Sequence, residues 1–307
     1  KLGWSDDAAL LASVKPKPAQ PTPASSPAQP QPNSASATSP SSSPATPASP
    51  HPALAPWTGS LTELPLNASF PQTPEAAPAA HTTVALTGDS MMAVGLSASI
   101  LRDAPRFHNL SFLNLFKSGT GLARPEVFNW QLEYPAMLHE REPDFVIVAI
   151  GANDAQGFQV GRTVYPFASA AWDRLYAERV AAFLRMLTAH GATVLWVGLP
   201  PMKDSAFSAR IDLINRIQYS VVSTSPHAIW FSSTAVIGDA QGKFRDFGNV
   251  RGRPARLRAG DGIHMSNDGA ELLAAKLLPW LAAQPAKSDA PAKPFGDAGA
   301  GPTSTEQ

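Results

Sequence analysis

The sequence predicts a three-layer α/β/α sandwich built on a five-stranded parallel sheet. Three observations point there. Between about residues 81 and 283, short apolar runs rich in β-branched and aromatic residues alternate with longer amphipathic stretches. The apolar runs are too short for stable helices, and the alternation repeats five times. Strands joined through helices lie parallel, and a parallel sheet must be covered on both faces.

The first strand is expected over Thr83–Leu86, followed by the turn Gly88-Asp89-Ser90 and a helix over Met91–Leu101. Leu110–Leu115 is the second strand. Pro125 suits the first turn of the next helix, which Pro135 should end or kink before His139. Phe145–Ile150 is the third strand. Ala170–His190 then carries Leu175, Val180, Phe183, Leu184 and Leu187 at helical spacing and stops at Gly191. Thr193–Val197 is the fourth strand, and Ile211, Ile214, Ile217 and Val221 mark the helix after it. Ala228–Phe231 is the fifth strand, and Ala270–Leu281 the last helix. Ligands of such sheets bind at the carboxyl ends of the strands.

The flanks differ in kind. From about Pro18 to Pro56 the chain is almost entirely Pro, Ala, Ser, Thr and Gln, with no acidic residue. Such a segment buries too little surface to fold, and its prolines favour extended polyproline II. Residues 1–80 are therefore expected to form a disordered spacer, 81–283 the folded domain and 284–307 a disordered tail. A spacer of this composition fits a tether in an exported protein, periplasmic or secreted, and a Pro-rich docking tail is the other reading. The start at Lys1 suggests a leader or membrane anchor N-terminal to the sequence.

Composition narrows the function. Lys+Arg and Asp+Glu both number 24, so no general field attracts nucleic acid or an anionic membrane. Cysteine is absent, which removes disulfides and thiolate chemistry and leaves the redox compartment open. The histidines outside Asp261–His264 show no metal-ligand spacing, and no carboxylate-rich calcium loop is present, so neither a metal nor another cofactor is expected.

Four segments could carry chemistry, each after a predicted strand or before the last helix. Ser90 falls at a strand-to-helix turn, where neighbouring N–H groups can stabilise an oxyanion. Lys117-Ser118-Gly119-Thr120-Gly121 follows the second strand, and Gly151-Ala152-Asn153-Asp154 the third. Asp261-Gly262-Ile263-His264 puts an acid and an imidazole three residues apart on one loop. Asp89 and Asp154 read as turn and capping acids.

Together these segments resemble the four blocks of the SGNH hydrolases, the GDSL esterase and lipase superfamily, over roughly residues 82 to 282. Met91 stands where the GDSL motif has leucine. The resemblance implies the flavodoxin-like SGNH fold, with Ser90 as nucleophile, His264 as general base and Asp261 as its orienting acid. It also implies an oxyanion hole from the N–H groups of Ser90 and Gly119 and the side chain of Asn153, with Gly121 the alternative to Gly119. A serine hydroxyl needs such a base, and the base a partner to hold its tautomer.

Outside these blocks, Phe128 and Trp130 fit either a carbohydrate-stacking platform or the core. Arg251, Arg253, Arg256 and Arg258 fit either a solvated loop or a surface for substrate. Trp130 and Arg258 are the candidates for substrate binding. The expected activity is a serine esterase or O-acyltransferase acting on acylated, above all acetylated, carbohydrate of the cell envelope or exterior, or on another small ester. The alternatives are a lipid esterase or thioesterase and a tethered, non-catalytic binding module. Nothing in the sequence speaks to oligomeric state.

Overall fold

The computed structural model describes residues 60–65 and 81–284. Most of the expected spacer and the tail after Gln284 lie outside the described residues. The domain is a five-stranded parallel sheet made of β1 (Thr82–Gly88), β2 (Leu110–Phe116), β3 (Phe145–Ala149), β6 (Thr193–Gly198) and β7 (Ala228–Ser232). The strand order is β2-β1-β3-β6-β7, the flavodoxin-like arrangement that the resemblance implies. All five predicted strands are present, each within two residues of the expected ends.

Helices α1 (Ser90–Ala93), α2 (Leu96–Asp103), α3 (Trp130–Leu138), α4 (Ala170–Thr188), α5 (Ser205–Val222), α6 (Thr234–Ile237) and α7 (Asn267–Ala282) surround the sheet. Helix α2 packs with α7, while α3, α4 and α5 pack in succession, which makes the two outer layers. The central strands are closed to solvent on both faces: every residue of β3 is buried. Each such Val, Ile or Leu side chain contributes about 1.5–3 kcal/mol of burial free energy.

Two helices differ from expectation. The helix expected over Met91–Leu101 is broken after Ala93, because Gly95 takes φ +87 and a straight helix cannot pass through it. Pro125 lies outside any helix, and α3 begins instead behind Asn129, whose side chain accepts the N–H of Gln131. Pro135 stays inside α3, and the helix ends at His139 in the left-handed region.

Two antiparallel hairpins lie outside the elements that the sequence predicts: β4 (Phe158–Val160) with β5 (Thr163–Tyr165), and β8 (Phe247–Val250) with β9 (Arg253–Arg256). The expected domain start at residue 81 also leaves out a docked piece. Residues 60–65 lie against α5, with Thr62 N–H donating to Ser220 Oγ (3.0 Å) and Leu61 packing on the core.

Sheet register places the site. Gly88 lies beside Phe116 of β2 and Ala149 of β3. The loops opening at Asp89, Lys117 and Ile150 therefore leave the sheet side by side at its carboxyl edge. Asp89 N–H donates to Ala149 O and Lys117 N–H to Gly88 O, holding the three loop bases together.

Candidate active site

Ser90 opens α1, and Asp89 caps that helix as a capping acid should: its Oδ1 accepts Met91 N–H (2.8 Å). The same carboxyl accepts Gly151 N–H on Oδ2 (2.9 Å), so Asp89 joins the Ser90 turn to the Asn153 loop. It is fully buried, and desolvation pushes its pKa up to about 7, against the pull of the Met91 and Gly151 N–H groups.

That shift has a consequence for stability. In the unfolded chain the carboxyl titrates near 3.8, so between about pH 4 and about pH 7 the native state binds the extra proton. Stability contributed through Asp89 therefore falls as pH rises through this window and levels off above it. Urea unfolding of the wild type and Asp89→Asn at pH 4.5 and 7.5 checks this: the wild type should lose ground to the variant at the higher pH. An equal difference at both values would refute it.

The Asn153 loop is a single 3-10 turn, Ala152–Asp154. Asn153 Nδ2 donates one hydrogen to Thr120 O (2.8 Å), which orients the amide and leaves its second hydrogen for another acceptor. Asp154 extends the connection to the glycine loop, since its Oδ2 accepts Leu122 N–H (3.0 Å) and its Oδ1 accepts Ala123 N–H (2.9 Å). Arg179 donates to the carbonyls of Ala123 and Leu122, gripping the same peptide from the other side. Tyr176 OH donates to Asp154 Oδ2 (2.8 Å) and accepts from Gln218 Nε2 (3.0 Å), while Gln218 also takes the indole N–H of Trp196 (3.0 Å). Desolvation raises the pKa of Asp154, and the N–H groups of Leu122 and Ala123 oppose it.

The two glycines of the loop separate by environment. Gly121 is buried, and a methyl group there would sit 2.0 Å from Asp154 Oδ1. Gly119 is exposed, has open space around it and takes φ +74, a conformation that favours glycine. Gly121 is thus committed to the Asp154 contact, whereas Gly119 faces outward at the site.

The last loop closes the constellation. His264 Nε2 lies 2.8 Å from Ser90 Oγ, and His264 Nδ1 lies 2.7 Å from Asp261 Oδ2. Asp261 Oδ1 also accepts the N–H groups of Ile263 (2.8 Å) and His264 (3.0 Å). Desolvation pushes Asp261 up, but the His264 ring and these two N–H groups outweigh it and hold the carboxyl below its ordinary range. Asp261 is therefore ionised at neutral pH. The side chain of His264 is 13% exposed and that of Asp261 45%, so the imidazole is shielded while its acid meets solvent.

Ser90, Asn153, Asp261 and His264 thus occupy one sheet edge with Gly119. The substrate-binding candidates do not join them. Trp130 is only 3% exposed and packs edge-on against Phe128 (4.9 Å) and Phe183 (5.6 Å), so it is core rather than a platform. Arg258 is 0% exposed and points beneath the last loop instead of toward solvent. The rest of the basic run is exposed on the hairpin of β8 and β9: Arg251 lies at its turn and pairs with Glu271, and Arg253 and Arg256 lie on β9, where Arg256 pairs with Asp246 (3.4 Å). No group of His, Cys, Asp or Glu among the described residues is arranged to hold a metal ion.

A groove of about 870 Å³ opens near the ends of β6 and β7. Gly198, Lys203, Ser208, Trp230, Gln241 and Phe244 are among its lining residues, and none of Ser90, Asn153, Asp261 or His264 is. Lys203 connects it to the site, because its N–H donates to Gly262 O (3.0 Å).

A family model described as "Protein of unknown function (DUF459)" matches residues 83–280. No curated protein matches the chain in sequence. Among solved structures, the chain is similar to LAE5, an alpha/beta hydrolase enzyme from the metagenome of Lake Arreo, Spain, with TM-score 0.45 and 16% identity, covering 66% of this chain and 96% of that one. It is similar to TesA with TM-score 0.43 and 21% identity, covering 65% and 97%. It is also similar to Axe2, an acetylxylan esterase from Geobacillus stearothermophilus, with TM-score 0.44 and 15% identity, covering 66% and 95%.

Proposed function

The chain belongs to the DUF459 family, and from the geometry of its site we propose that it is a serine esterase working through an acyl-Ser90 intermediate. The observation that carries this is the continuous chain Ser90 Oγ, His264, Asp261, with links of 2.8 and 2.7 Å. Ser90 Oγ attacks the acyl carbonyl while its proton passes to His264 Nε2. The tetrahedral oxyanion is held by the N–H groups of Ser90 and Gly119 and by the free amide hydrogen of Asn153. Ionised Asp261 stabilises the imidazolium. The C–O bond to the alcohol then breaks, and His264 returns the proton to the departing oxygen. Water, or a second hydroxyl in the transferase variant, repeats the sequence against acyl-Ser90 and regenerates the serine.

Asn153→Ala tests the oxyanion assignment. We expect kcat to fall on the order of 10²-fold, about 3 kcal/mol of barrier, with KM little changed. Steady-state kinetics on p-nitrophenyl acetate reads it, and a wild-type rate would refute the role.

For substrate we propose acylated, chiefly acetylated, carbohydrate outside the cytoplasm. The Pro/Ala/Ser-rich composition of residues 18–56 supports a tethered, exported enzyme, which cell fractionation checks. The groove beside Lys203, with Ser208 and Gln241 among its polar groups, suits a hydroxyl-rich chain. Release of acyl groups from acetylated glycans and from p-nitrophenyl esters of increasing length decides the substrate. Acetate release from glycan is expected, and preference for long acyl chains would favour a lipid esterase or thioesterase. Adding a hydroxyl acceptor separates the two fates of the acyl group, since acyl transfer faster than acid release would mark a transferase.

A further inference from the structure

Arg258 is a fully buried cation that the hydrolytic steps do not use. Desolvation pushes its pKa down to about 10, opposed by Asp261 and Asp246, so it stays charged at neutral pH. Among the described residues no carboxylate forms an ion pair with it, and a ring face, that of Phe244, lies 4.8 Å from its guanidinium carbon. An isolated buried charge is unfavourable for folding, and an apolar side chain of similar size commonly serves stability as well or better. A reason for its presence must therefore lie in where its donors go.

They go to main-chain carbonyls on two segments. One arm donates to Pro201 O. The other donates to Ile263 O (2.7 Å), and Nε makes a longer contact to His264 O (3.4 Å). Arg258 and Met265 form an antiparallel bridge at the neck of the 258–265 loop, and Ala259 N–H donates to His264 O (2.9 Å). The side chain of Arg258 thus folds back under the loop whose neck its own backbone makes. With the His264 N–H on Asp261 Oδ1, the residue is held at its amide, its carbonyl and both ring nitrogens.

We propose that Arg258 is a positioning residue for His264, tying the 261–264 loop to Pro201 so that the imidazole is presented to Ser90. This rests on the assignment of His264 as the general base. A fork of rigid donors suits the task because it can span carbonyls of separate segments, which a lysine ammonium does less well.

The test compares wild type, Arg258→Met and Arg258→Lys by thermal unfolding, by kcat and KM on p-nitrophenyl acetate, and by the far-downfield proton resonance of the Asp261–His264 hydrogen bond. Folded Arg258→Met should show kcat lowered on the order of 10²-fold with KM within about twofold, and a lost or displaced resonance. Arg258→Lys should recover part of both. If Arg258→Met does not fold, Arg258→Lys carries the test, with an intermediate fall in kcat and a displaced resonance. A folded variant with wild-type kcat and an unmoved resonance would overturn the proposal. The resonance reports the loop without turnover, so a wild type that hydrolyses nothing would count against the esterase reading, and the effect of Arg258 on His264 would still be read.

Discussion

Ser90→Ala is expected to lower kcat on p-nitrophenyl acetate by on the order of 10⁴-fold or more, since a nucleophile and its base act as one unit. The fold should barely notice. Ser90 Oγ bonds to His264 Nε2 at the rim of the sheet, and the turn is held by Asp89 rather than by the serine side chain. Steady-state kinetics beside a thermal melt reads both parts: a large loss of rate with Tm unchanged within about 2 °C, a change of less than about 1 kcal/mol for a domain of this size. A variant that keeps a tenth of the rate would show that another group attacks the ester.

The second large effect is on stability. Asp154→Ala is expected to cost about 3–5 kcal/mol, because it strands the buried N–H groups of Leu122 and Ala123 and the buried hydroxyl of Tyr176 without their acceptor. For a domain of about 200 residues that lowers Tm by roughly 10 °C. Asp154→Asn retains one acceptor oxygen and should fall between wild type and alanine. Activity should suffer as well, since Asp154 holds the glycine loop against Asn153. Thermal melts of the three proteins check the order, and an alanine variant as stable as the wild type would contradict the role given to Asp154.

The sheet was legible because each strand is a run such as Phe145-Val146-Ile147-Val148-Ala149, apolar on both faces as a covered parallel strand must be. The hairpins were not. Val160 and Val164 are exposed, and strands of three or four residues carry too little periodicity to stand out from a loop. The break at Gly95 was visible only as a glycine inside an otherwise helical pattern, which helices often tolerate.

The site shows the same division. Ser90, Asn153, Asp261 and His264 announced themselves by motif and by their places after strands or before the last helix. What holds them did not. Asp154 reads locally as a capping acid, and that its carboxyl reaches the 122–123 peptide depends on a contact between residues more than thirty positions apart. Tyr176 and Gln218 sit within amphipathic helices, where nothing local distinguishes a network member from a core residue. Arg258 misled in the opposite direction. Arginine is rarely buried without a partner, so a basic run reads as surface until the carbonyls of Pro201 and Ile263 are seen to receive it.

If His264 activates Ser90, an electrophilic serine probe labels that hydroxyl. Intact-mass and peptide mapping of the protein after reaction with a fluorophosphonate measures this directly, with Ser90→Ala and His264→Ala as companions. We expect one adduct per chain, on Ser90, absent from Ser90→Ala and strongly slowed in His264→Ala. Folded wild-type protein that takes up no label, or takes it up on another residue, would mean that Ser90 is not an activated nucleophile.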